Sequence, residues 1–106
     1  MPKQRRKATR TQLWFDSEAI VKFEYGKIKG KVDNVSAKGM FIETSQHIPE
    51  YSEVEIKIIF KSKTPSEISG IKGTVIWSRD KGGMGILFKE IDLDRFRECM
   101  AAIMVN

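Results

Sequence analysis

Three observations predict a mainly β fold, a six-stranded antiparallel barrel with a C-terminal α-helix. Apolar and polar residues alternate with a period of two over most of the chain. Short polar stretches rich in Gly, Asp, Asn and Pro separate the alternating runs. The period changes to three and four only in the last fifteen residues. Six short antiparallel strands with brief connections close most readily into a small barrel, because closure removes exposed sheet edges.

The first run is Ala19 to Tyr25, with Ala19, Val21, Phe23 and Tyr25 on one face and Ile20, Lys22 and Glu24 on the other. Gly26-Lys27 reads as a tight turn. Ile28, Gly30 and Val32 then alternate with Lys27, Lys29 and Lys31, so the two runs form a hairpin. Asp33 to Gly39 reads as a polar loop, and Met40 to Thr44 as the third strand. His47-Ile48-Pro49-Glu50 is a connection, and His47 on it reads as a solvated side chain. Val54, Ile56, Ile58 and Phe60 alternate with Glu53, Glu55 and Lys57 in the fourth strand. Lys61 to Glu67 is polar and contains Pro65, which marks another loop. In the fifth strand Ile71, Gly73, Val75 and Trp77 share a face, which assigns Trp77 to the core by alternation; a place at the barrel rim would instead let it border a ligand. Asp80 to Gly83 is a turn, and Met84, Ile86 and Phe88 alternate with Gly85, Leu87 and Lys89 in the sixth strand. Leu93, Phe96, Met100 and Ile103 form one stripe of an amphipathic helix. Asp92 suits its N-cap, and Asp94 suits the positive end of its dipole.

The chain has 106 residues, one domain's worth. Its net charge of +5 is unevenly placed. Residues 1–10 contain Lys3, Arg5, Arg6, Lys7 and Arg10 and no acid, while the other 96 residues carry 14 basic and 14 acidic groups. The expected organisation is a flexible basic arm over residues 1–12 and a neutral barrel domain with its helix over 13–106. No stretch approaches the roughly twenty apolar residues of a membrane span, and the start lacks the apolar run of a secretory signal. With one cysteine, Cys99, no internal disulfide can form, which fits a cytoplasmic setting.

The residues of common active sites are missing. One Cys and one His make no zinc constellation, and no phosphate-binding GxxxxGK[ST] loop occurs. Gly82-Gly83-Met84-Gly85 joins two strands, so it reads as a hairpin turn and not as a dinucleotide fingerprint. The expectation is a protein that is not an enzyme and needs no metal or cofactor. Binding of DNA or RNA is not expected either, because the barrel is neutral and its aromatics fall mainly on inward positions, whereas single-strand binders set aromatics on a basic groove.

Two short motifs stand out. Arg6 and Arg10 have RxxxR spacing within Arg5-Arg6-Lys7-Ala8-Thr9-Arg10, and Asn34-Val35-Ser36-Ala37-Lys38-Gly39 has the form [DN]xSxxG. In this order and on this strand pattern they resemble the PilZ domain family. Gly73 to Trp77, followed by Gly83 to Phe88, resembles that family's final hairpin. The resemblance runs from Arg5 to the C-terminal helix. It implies a six-stranded barrel and a bacterial receptor for the second messenger cyclic di-GMP, with Arg5, Arg6, Arg10, Asn34, Ser36 and Gly39 as ligand-binding residues and Trp77 as a candidate border. Arginine's planar fork suits that ligand's phosphates and the O6/N7 edge of its guanines, and can stack on a base face. Asn34 and Ser36 supply an amide and a hydroxyl for a guanine edge. Ligand binding would order the arginine arm on the barrel and signal through a partner effector protein. Arg5 beside Arg6 suits a stacked ligand dimer. Two departures from the family pattern are Asn34 in place of the commoner Asp, and Ala8 where an aromatic is common. The alternative is a barrel of the same fold that acts as a protein-interaction adaptor and binds no nucleotide.

Overall fold

The computed structural model describes residues 11–12, 17–61, 65–79 and 82–105. Seven strands precede one helix: β1 (Thr11–Gln12), β2 (Ser17–Phe23), β3 (Gly26–Val35), β4 (Gly39–Glu43), β5 (Glu53–Phe60), β6 (Ser66–Arg79), β7 (Gly83–Glu90) and α1 (Leu93–Val105). Strands β2 to β7 run in the order β3-β2-β5-β6-β7-β4, and β4 pairs back on β3, so six antiparallel strands close a barrel. The barrel and its C-terminal helix match the sequence expectation. β1 pairs with β3 beyond the end of β2, through Thr11–Val35 and Gln12–Asn34.

Alternation puts every second side chain inside. Val21, Ile42, Ile58, Phe60, Ile71 and Val75 are fully buried, and Phe60 is the largest such side chain. At roughly 1.5–3 kcal/mol for each large apolar side chain removed from water, this interior is the main source of stability. Ile48, from the connection between β4 and β5, is also fully buried and enters the core. That connection is stitched to β6. Glu50 Oε2 accepts the Ser78 N–H at 3.1 Å, Ser78 Oγ meets His47 Nδ1 at 3.0 Å, and Val75 exchanges backbone bonds with Tyr51 and Ser52 at 2.6 and 3.0 Å. His47 is therefore exposed but engaged.

Three expectations need correction. The β2–β3 turn is Glu24-Tyr25, with Phe23 paired to Gly26, so Tyr25 leaves the inward face and is 86% exposed. The loop expected over residues 33–39 shrinks to Ser36–Lys38, because β3 continues to Val35 through a bulge at Asp33. The loop expected up to Glu67 is likewise shorter, since β6 begins at Ser66. Its alternation is masked by a bulge, where Ile56 pairs with Ile71 but Ile58 with Ile68, and Gly70 takes φ 74°.

Helix α1 packs Phe96 and Cys99 into the core, with Met100 and Ile103 partly buried behind them. Leu93 is 45% exposed, so Cys99 takes its place on the buried stripe. Arg95 Nε donates to the Glu67 carbonyl at 3.0 Å and fixes the helix against β6. Asp92 caps the helix by accepting the Arg95 N–H at 3.0 Å. Asp92→Ala should cost about 1 kcal/mol of stability, seen as a lower urea midpoint, while Asp92→Asn should cost much less; equal midpoints for all three proteins would contradict the cap. Spanning β6 from β7 to β5, Lys89 Nζ meets Glu53 Oε1 at 2.7 Å, and this bond, aided by the Thr74 hydroxyl, holds the Glu53 carboxyl below its ordinary range.

Candidate functional site

Two bulges build the site. Val32 pairs with the buried Ile42 and Val35 with the buried Met40, yet Asn34 between them pairs with Phe41. The extra residue, Asp33, resets the alternation and turns Asn34 to the outer face. In β6, Val75 pairs with the buried Ile86, whereas Trp77 pairs with Gly85. Here Ile76 is the extra residue, and it is 41% exposed. Trp77 therefore does not share a face with Val75, as strict alternation predicts; it lies outside the barrel.

Register then lines up Gln12, Asn34, Phe41, Gly85 and Trp77 across β1, β3, β4, β7 and β6. Phe41 and Trp77 flank Gly85, and their rings stack with centroids 5.2 Å apart at 27°. Only glycine fits between them. A Cβ on Gly85 would stand 2.5 Å from the Trp77 Nε1 and 3.0 Å from Cδ1. The missing side chain lets the indole lie down on the sheet. The result is a half-buried aromatic platform on the outer wall, bordered by Asn34 on one side and by Arg79 on the other. The Arg79 Cζ lies over the indole, 5.2 Å from its centroid.

The turn after β3 brings the other motif residues close by. Ser36 is 5% exposed; its N–H donates to the Gly39 carbonyl at 2.9 Å, and its Oγ accepts the Lys38 N–H at 3.1 Å. The hydroxyl hydrogen is left to donate elsewhere. Gly39 does not have the positive φ of a turn glycine. It sits where a Cβ would strike the Ile86 carbonyl, so it permits close contact between β4 and β7. Phe88 N donates to the Lys38 carbonyl at 2.8 Å and ties the turn to β7.

Asn34, Ser36 and Gly39 thus lie together at the head of the platform. Arg5, Arg6 and Arg10 lie outside the described residues. The residue after Arg10 is nevertheless Thr11, which pairs with Val35, between Asn34 and Ser36. Sequence reading missed Phe41, Gly85 and Arg79. Their signals were an aromatic directly after Gly39-Met40, a Gly-Met-Gly repeat, and an arginine two residues after a tryptophan.

An open groove of about 860 Å³ lies beside this site, between Lys38, Leu87 and Leu93. It is mostly apolar, and its charged groups are of both signs: Lys38, Lys89, Glu90 and Asp92. The platform is the better candidate, because Asn34 of the NxSxxG motif lies in its row and β1, which follows Arg10 in the chain, pairs with β3 beside it. Among the described residues, no group of three or more His, Cys, Asp or Glu could hold a metal ion, and no helix is long and apolar enough to cross a membrane.

Comparison with known proteins agrees with this fold. The solved structure of the Bacillus subtilis inhibitor of motility (MotI/DgrA) shares the fold, with a TM-score of 0.69 at 17% identity over 97% of this chain and 53% of that one. The chain therefore spans about half the length of that protein. No curated protein matches it. The model of the PilZ domain matches residues 4–104, from the arginine segment through the helix, and on that match the chain belongs to the PilZ domain family.

Proposed function

We propose that this protein is a non-catalytic cyclic di-GMP receptor of the bacterial cytoplasm that orders its arginine arm on the ligand and signals through a partner effector protein. PilZ domains are receptor domains for this messenger, which sets the class. The observation that carries the reading for this chain is the pairing of β1 with β3. Thr11 sits beside Val35, and Arg10 precedes it by one Cα step of about 3.8 Å. Arg6 is four residues further out, within roughly 18 Å of Thr11 even for a fully extended chain. Both arginines can therefore reach Asn34, Ser36 and the platform.

The chemistry is complementary. Guanine needs a stacking surface and polar groups at its edge. Trp77 and Phe41 offer the first, and Asn34 and Ser36 offer the second. Phosphates need cations, which the arm brings as Arg5, Arg6 and Arg10. Neutralising the clustered positive charge of the arm removes its self-repulsion and favours its docking, which changes the surface shown to an effector.

The test is isothermal titration of the chain with cyclic di-GMP, with GTP as control. The expected result is saturable binding selective for cyclic di-GMP. A ligand-to-protein ratio of two would match Arg5 and Arg6 gripping a stacked dimer. A folded chain that takes up neither nucleotide would overturn the receptor reading in favour of the nucleotide-independent adaptor.

A further inference from the structure

Arg79 is outside both sequence motifs. Three arginines occur among the described residues, and two of them hold carboxylates: Arg95 pairs with Glu98 at 3.2 Å and Arg97 with Asp94 at 3.1 Å. Arg79 differs. Among the described residues no acid pairs with it, and its guanidinium lies over the Trp77 ring. It is exposed, and it stands two residues beyond Trp77 on the outer face of β6, paired in register with Gly83.

A cation–π contact holds a guanidinium over a ring without using its five N–H donors. The contact with Trp77 thus positions the side chain, and among the described residues no carboxylate would have to be displaced for Arg79 to receive an anion.

We infer that Arg79 is a phosphate-binding residue of the site, a fixed cation set at the opposite end of the platform from Asn34. The inference rests on the receptor reading above and extends it to a contact on the barrel itself. Asn34 and Trp77 are three strand spacings apart, roughly 14 Å, so the two ends meet different parts of one ligand. A base set on the Phe41 side of the platform carries its phosphates at its flank, toward Arg79 over the Trp77 ring. Contact with a guanine edge would use the same fork, but the platform takes the base by its face, which leaves the charged linkage for Arg79.

The test compares the wild-type chain with Arg79→Ala and Arg79→Lys by titration with cyclic di-GMP at low and at high salt, with melting curves for each protein. Arg79→Ala should keep its melting temperature, bind at least about tenfold more weakly at low salt, and lose affinity less steeply as salt rises. Arg79→Lys should restore the salt dependence and only part of the affinity, because an ammonium lacks the planar fork. Wild-type binding with Arg79→Ala within threefold of it would overturn the inference alone. So would a weaker Arg79→Ala whose salt dependence is unchanged, since that outcome makes Arg79 a support for Trp77 and not an anion contact. A wild-type chain that binds no cyclic di-GMP would overturn the receptor reading, and the inference with it.

Discussion

Arg6→Ala and Arg10→Ala should each weaken cyclic di-GMP binding by a hundredfold or more. Truncating one member of a desolvated charge pair costs on the order of 2–5 kcal/mol, much of it from the partner charge left unmatched. The ligand phosphates are such partners if the arm closes over them against Ser36 and the platform. The loss should appear mainly in dissociation rate, and titration of each variant measures its sum. Thermal stability should stay at the wild-type value, because among the described residues the buried apolar core lies between Ala19 and Cys99. Affinity reduced less than about threefold in both variants would remove these arginines from the site.

The largest effect on folding should come from Gly83→Ala. Gly83 opens β7 with φ 132°, a backbone conformation that residues with a side chain rarely adopt. Its missing Cβ also faces the Ile42 carbonyl of β4, a backbone atom that cannot swing aside. Two penalties combine. A strained backbone costs about 1–3 kcal/mol, and overpacking costs about 1–3 kcal/mol more. A domain of this size has only about 5–15 kcal/mol in total. Gly82→Ala is the matched control in the same turn: its φ is 108°, but a Cβ there meets nothing within 4 Å. The urea midpoint should fall clearly for Gly82→Ala and much further for Gly83→Ala. Equal midpoints for the two variants would rule out the clash with β4.

The barrel was legible because binary patterning survives wherever a strand keeps its phase. Val21, Ile28, Ile56, Ile86 and their neighbours face inward as alternation requires. The helix was legible down to its Asp92 cap. What failed did so where an extra residue shifts the phase. Asp33 and Ile76 each insert one position, and single-sequence alternation has no means to register it. Tyr25 shows a second cause: a two-residue turn can begin before the glycine that seems to mark it. The same bulges hid half of the candidate site. Asn34, Ser36 and Gly39 are close in sequence and could be found as a motif. Phe41, Gly85 and Trp77 become neighbours only through strand pairing, and Gly85 acts through the side chain it lacks.

The placement of β4 has a mechanical consequence. This five-residue strand is the seam of the barrel, since it alone joins β3 to β7. The row from Asn34 to Trp77 crosses that seam at both of its ladders. A ligand lying on the row is therefore a clasp laid over the joint at which the cylinder would part. Any local opening that peels β4 away would first have to release such a ligand, so occupancy would suppress that opening. At a hundred times its dissociation constant a ligand adds about 2.7 kcal/mol to the closed state. Messenger level and barrel rigidity would then rise together, and an effector able to sense a stiffer wall would need no large displacement to read the signal.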